Sequence, residues 1–137
     1  MLTLRQIEND DYSKINNILK VYEIKDDLSK GIIYVLENKS DIMGVGKILL
    51  KNDYGILKYI VVNEDFRGSN FGDAILRGIF FKSHNMDINT IYYSYNNKYL
   101  LKKGFKHNKE HFLDKYKLYL NIDDFFNKSC CGDINGL

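Results

Sequence analysis

The chain has 137 residues, 45% hydrophobic and 28% charged, with a formal net charge of +2. That length suits one domain with a proper core, and so even a charge balance argues against a nucleic-acid-binding domain. No apolar run approaches the ~20 residues that cross a bilayer. The opening MLTLRQIENDD has neither the basic nor the apolar region of a signal peptide, so the expectation is a cytoplasmic protein without membrane contact. The abundance of Lys, Ile and Asn fits an AT-rich bacterial genome.

Residues 2–7 (LTLRQI) alternate apolar and polar, as a half-buried strand does. Asn9, Asp10 and Asp11 then offer helix caps before Tyr12, Ile15, Ile18, Leu19 and Tyr22, which recur at helical spacing. After the polar link EIKDDLSKG come two strand-like runs, IIYVLEN (32–38) and IMGVGKILL (42–50), with a hairpin-sized gap between them. The turn Asn52–Gly55 leads into ILKYIVV (56–62), so three antiparallel strands are expected over 31–62.

A helix is predicted from about 70 to 84, with Phe71, Ala74, Ile75 and Ile79 on one face and Leu76, Phe80 and Phe81 broadening it. A strand TIYYSY (90–95), a short helical piece NNKYLLKKG and a hairpin within FKHNKEHFLDKYKLYLNI complete the pattern. The order β-α-β-β-β-α-β-α-β-β describes an α/β fold, an α+β sandwich with a mixed, mostly antiparallel sheet of 6–7 strands flanked by helices. Residues 1–122 are expected to form the domain, and 123–137 a C-terminal tail or small extra element. The 11 tyrosines and 8 phenylalanines, with no tryptophan, suggest an aromatic-lined core and cleft. On the strand, Tyr93 and Tyr95 would share one face and Tyr92 would take the other.

The stretch NEDFRGSNFGDAILR (63–77) holds two glycines beside Arg67, Ser69 and Asn70, between a strand and a helix. Helix-start amides lack intrahelical partners, and the helix dipole adds about half a positive charge there. Gly68 and Gly72 let a ligand approach the backbone, and Arg67 can donate charge-assisted hydrogen bonds to a phosphate. No GxxxxGK[ST] or GxGxxG is present, and GVGK (44–47) runs on into a strand.

VVNEDFRGSNFGDAIL resembles the V-x-P-x-x-R-G-x-G-x-G signature of the GCN5-related N-acetyltransferase (GNAT) superfamily, and Gly104–Phe105 after a short helix resembles its second landmark. With the order of elements, the resemblance spans roughly residues 2–120. It implies an acetyl-CoA-dependent N-acetyltransferase that moves the acetyl group directly to a primary amine in a ternary complex. Arg67, Gly68, Ser69, Asn70, Phe71 and Gly72 would wrap the pyrophosphate of coenzyme A. The backbone of Ile60, Val61 and Val62 would pair with the pantetheine arm, and Asn96 or Asn97 would touch the pantetheine or adenosine side. Small-molecule or peptide amines are the expected acceptors, and a monomer or homodimer the expected state.

Three departures from the family pattern stand out. Asn70 replaces the first glycine of the G-x-G pair, although asparagine tolerates left-handed backbone; with Asp73 it also reads as a helix N-cap arrangement. Asp73 would oppose an anion unless it turns toward Arg77. Leu100 stands where many members keep a tyrosine that protonates the departing thiolate; adjacent Tyr99 is either its substitute or a core aromatic. These departures motivate the alternative of a non-catalytic CoA-binding or protein-interaction module.

An amine acceptor must lose a proton; Glu64, Glu110, His107 and His111 are candidate bases, and backbone N–H groups at Val61 or Val62 candidate oxyanion donors. The connection 23–31 is short for this fold, which favours an extended or peptide-like acceptor. HNKEH (107–111) fits H-x-x-E-H but lies between strand-like runs, so no metal is expected. Adjacent Cys130 and Cys131 read as free thiols.

Overall fold

In the computed structural model, residues 2–68, 70–109 and 115–127 are described. Ser69, Glu110, His111, Cys130 and Cys131, named above, lie outside them. The order of elements is β1 (Leu2–Gln6), α1 (Tyr12–Val21), β2 (Ile32–Asn38), β3 (Asp41–Leu50), β4 (Gly55–Val62), α2 (Phe71–Asn85), β5 (Thr90–Tyr93), α3 (Lys98–Lys102), β6 (Lys106–His107) and β7 (Leu118–Asn121), with helical backbone again over 122–127. The strands make one mixed seven-stranded sheet in the order β1-β2-β3-β4-β5-β7-β6. Two compact units are distinguished: Met1–Leu49 with Leu57–Lys82, and Leu50–Ile56 with Ser83–Leu137.

In the first unit β1–β2 and β2–β3 are antiparallel. Alternation along β3 sorts its side chains between two helices. Val45 faces α1 in a cluster with Ile15, Leu19, Ile33, Val35, Tyr59 and Val61, where burying each Leu or Ile contributes about 1.5–3 kcal/mol. Gly44 and Gly46 face α2: a Cβ on either would lie 2.8 or 2.7 Å from a carbon of Ile75. The GVGK glycines therefore serve the approach of a helix. Lys47, back on the α1 side, is buried at 3% exposure; its Nζ donates to Asp26 Oδ2 at 2.6 Å and to the Asp27 carbonyl at 2.9 Å. Tyr59 OH donates to the same Asp26 oxygen at 2.9 Å, so the 23–31 connection is pinned to the sheet. Burial first, then the charge and hydrogen bond of Asp26, raise the Tyr59 phenol above its ordinary range and keep it a donor.

Arg5 on β1 donates to both oxygens of Asp11 at 2.7 and 2.9 Å and to both of Glu37 at 2.8 and 3.1 Å. Asn9–Asp11 is a 3-10 turn closed by a capping box with Glu8, and α1 starts after it. The expected caps are thus an element of their own. β2 and β3 are joined by Lys39 and Ser40, both at positive φ (51° and 75°), between the paired Asn38 and Asp41. This is the two-residue hairpin whose twist matches the strands.

In the second unit Gly55 and Ile56 pair in parallel with Ile91 and Tyr92, and β7 pairs antiparallel with β5 and β6. Ile56, Tyr92 and Tyr116 form its aromatic cluster. β5 ends at Tyr93, two residues before the expected end; Tyr95 is exposed, its ring edge-on to Tyr93 at 6.0 Å. The Gly104–Phe105 landmark is a helix stop. Gly104 at φ 116° donates to the Leu101 carbonyl and Phe105 to that of Leu100, while Phe105 and Leu100 are both buried. No helix among the described residues is long and apolar enough to cross a membrane.

Candidate functional site

Past Val62, Asn63 continues toward β3, its N–H on the Met43 carbonyl (2.8 Å) and its side-chain amide on the Ile42 carbonyl (3.0 Å). A 3-10 turn, Glu64–Phe66, then reverses the chain. Two left-handed residues shape the approach to α2: Gly68 at φ 91° and Asn70 at φ 61°. Asparagine adopts this conformation at less cost than other side chains, so the backbone bend survives the loss of glycine. The Asn70 carbonyl accepts from Ala74 N at 3.2 Å, the first turn of α2. An ordinary N-cap is extended; Asn70 begins the helix from a left-handed corner. A Cβ on Gly68 would meet nothing within 4 Å, so its surroundings are open.

The Arg67 side chain is held against Val62 and the end of α1. Its Nε donates to the Val62 carbonyl at 3.1 Å and its Nη2 to Tyr22 OH at 2.8 Å. Asp73 turns to Arg77, Oδ2 to Nε 2.7 Å, so its charge has a counter-charge one turn along.

Along β4 the carbonyls of Tyr59 and Val61 are on the β3 side, 3.7 and 2.8 Å from the Cβ positions of Gly46 and Gly44. Alternation turns Ile60 and Val62 to the opposite edge. Of the three residues named for pantetheine pairing, Ile60 and Val62 are on that edge, and the Val62 carbonyl already accepts from Tyr22 OH and Arg67 Nε.

Within the second unit, Tyr99 and Leu100 resolve opposite ways. Leu100 is fully buried and Tyr99 is 39% exposed, with Lys103 Nζ 5.6 Å from its ring centre. Tyr99 is not a core aromatic. α3 is five residues long and is held through Leu100, which puts Tyr99 outward. Asn97 is its N-cap, Oδ1 accepting from Leu100 N at 3.0 Å, and Asn96 is exposed. Glu64 is exposed at the start of its 3-10 turn, and His107 is exposed on β6. No group of three or more His, Cys, Asp or Glu suited to a metal occurs among the described residues.

Sequence reasoning missed Lys47, Asp26 and Tyr22. A lone lysine inside the apolar run of β3 was the one available signal, since a cation there needs a partner.

The chain matches no protein-family model and no curated protein. It is similar in structure to an acetyltransferase of the GNAT family from Staphylococcus aureus Mu50 (TM-score 0.72, 17% identity, covering 89% of this chain and 99% of that one). The ribosomal-protein-S18-alanine N-acetyltransferase from Escherichia coli is similar at TM-score 0.69 and 15% identity, with 89% and 94% covered. N-acetylglutamate synthase from Neisseria gonorrhoeae, solved with coenzyme A and N-acetyl-glutamate, matches at TM-score 0.78 and 14% identity over 89% of this chain. This chain spans only 35% of that synthase. At these identities the likeness defines the fold: the chain has the GNAT fold.

Proposed function

We propose that this protein is an acetyl-CoA-dependent N-acetyltransferase acting on a primary amine. The observation that carries the reading is Asn70 at φ 61°, which keeps the bend of a glycine at a position where the family signature has one. Solved GNAT-fold structures in complex with coenzyme A support the choice of cosubstrate. The pyrophosphate would take the backbone N–H groups of the loop and of the first turn of α2, where the dipole favours negative charge. Ile60 and the N–H of Val62 would offer strand-like hydrogen bonds to the pantetheine amides, the Val62 carbonyl being taken by Tyr22 and Arg67.

In the direct mechanism the amine lone pair attacks the thioester carbonyl carbon, the C–S bond breaks, and the electron pair leaves on sulfur. A backbone N–H stabilises the charge on oxygen. The amine's proton passes to a base and the thiolate gains one from an acid. Glu64, Glu110, His107 and His111 are the proposed bases and Tyr99 the proposed acid. The short, pinned 23–31 connection supports an extended or peptide-like acceptor.

The test is calorimetric titration with acetyl-CoA and CoA, followed by thiol release with a panel of amines. Micromolar binding together with amine-dependent thiol release is the expected result; no binding to either ligand would overturn the reading. Burial of Leu100 at the usual tyrosine position favours a second reading, a CoA-binding or protein-interaction module. Binding without turnover by any amine would select it.

A further inference from the structure

Tyr22 and Arg67 are 45 residues apart and meet at the foot of the loop. Tyr22 is the residue on which α1 ends. Its ring centre is 5.5 Å from the Arg67 guanidinium carbon, and its hydroxyl accepts from Nη2 at 2.8 Å while donating to the Val62 carbonyl at 3.3 Å. Arg67 Nε donates to that same carbonyl at 3.1 Å. A phenol has one proton to give and lone pairs to accept, so both bonds form together. The result is a closed triangle of ring, guanidinium and carbonyl.

Arg67 is exposed, and an exposed arginine free to sample rotamers would have to be immobilised when a ligand arrived, which weakens binding. Here the face of a ring, a hydroxyl and a carbonyl fix it in advance. None of these contacts is to a carboxylate, so they hold the guanidinium without setting a counter-charge against it. The ring and hydroxyl contacts both belong to Tyr22, which closes α1 and packs, partly buried, against the same core cluster as Ile15 and Leu19.

We propose that Tyr22 is a positioning residue for pyrophosphate recognition, acting through Arg67: it holds the guanidinium at the start of the loop that leads into α2, so that positive charge is in place before the anion binds. The inference rests on the coenzyme A reading above. It assigns Arg67 a steering and charge role, with the direct hydrogen bonds left to the loop backbone.

A double-mutant cycle tests this by calorimetry with CoA on the full chain, at several salt concentrations. Tyr22→Phe keeps the ring and removes the hydroxyl. In the natural background it is expected to weaken CoA binding about three- to tenfold, and in the Arg67→Ala background less than about twofold, because the two side chains act as a unit. If Arg67→Ala binds too weakly to titrate, Arg67→Gln serves as the background. The slope of log Kd against log salt should flatten in Tyr22→Phe, approaching that of the Arg67 variant, since a misplaced charge is lost to the anion; a purely structural tyrosine would leave the slope alone. Equal losses in both backgrounds, or an unchanged affinity and slope, overturn the proposal while the coenzyme A reading stands. Absence of CoA binding by the natural protein overturns both, and that arm is read separately. Thermal melts of each variant separate a folding defect from a positioning one, and a Tyr22→Phe protein that melts early but binds with an unaltered salt slope counts against it.

Discussion

Buried Lys47 and partly buried Asp26 form an ion pair across 21 residues of sequence, Nζ to Oδ2 2.6 Å. Removing one partner of such a pair leaves a charge uncompensated and costs about 3–5 kcal/mol, whereas replacing both by apolar groups is often close to neutral. Lys47→Met and Asp26→Leu should therefore each destabilise strongly, with the Asp26 variant also stripping Tyr59 OH of its acceptor. The double variant should recover much of the loss. Urea unfolding at neutral pH gives all three values, and strict additivity would refute the pairing.

Acid should attack the first unit through Arg5. Hydrogen bonds from its guanidinium lower the carboxyl pKa values of Asp11 and Glu37. Depressed folded-state values stabilise the fold above the unfolded pKa, about 3.9 for Asp and 4.3 for Glu, and that stability is lost as pH falls through the folded values. Arg5→Met should be less stable than the natural chain at pH 7, and the gap should narrow below about pH 4. A gap that stays constant between pH 7 and 3 would contradict this.

Tyr59 supplies the opposite limb. Its raised pKa means stability present below the unfolded value of about 10 and lost as pH rises toward the folded one. Tyr59→Phe should start from a lower stability and show a flatter decline above pH 10. Parallel alkaline curves for the two proteins would exclude the effect.

Gly44 and Gly46 should be intolerant for packing reasons. A Cβ on Gly44 meets Ile75 Cδ1 and the Val61 carbonyl, both at 2.8 Å, and one on Gly46 meets Ile75 Cγ2 at 2.7 Å. Each alanine variant should cost about 1–3 kcal/mol. Ile75→Val removes Cδ1 but keeps a Cγ2, so it should relieve Gly44→Ala in part and Gly46→Ala hardly at all. Thermal melts of the single and double variants read this out directly.

Variants of the loop and of the thiol side separate binding from turnover. Asn70→Gly should bind CoA at least as tightly as the natural protein, while Asn70→Val should lose binding, since a β-branched residue resists φ 61°. Tyr99→Phe should lower kcat about tenfold or more with little change in the KM for acetyl-CoA, the mark of a proton donor. Unchanged kcat would leave Tyr99 without that role.

The fold was legible because alternation and helical spacing survive in every long element, and the stops around Gly55 and Gly104 are conspicuous. The β5 end was not, since Ser94 and Tyr95 continue a favourable β composition past the last paired residue. Helical phase could not rank Tyr99 against Leu100 in a five-residue helix; only the buried anchor does. The bend at Asn70 was readable from residue type. The partners of Arg67 were not, because Tyr22 is the end of a distant helix and reads as one more core aromatic.

Besides Asn70, three places among the described residues hold L-residues where glycine is conformationally easier. α1 and α2 end through Glu23 at φ 59° and Asp87 at φ 64°, each followed by the backbone hydrogen bonds that close α3 at its glycine, and the hairpin adds Lys39 and Ser40. Each such residue carries a backbone penalty of roughly 1 kcal/mol relative to glycine. Introducing glycine at positions 23, 40 and 87, and asparagine at 39, would accordingly raise the melting temperature without altering a side chain of the loop, β4 or α3. The protein thus contains its own route to a hardened background, in which the harshest loop variants could be assayed while still folded.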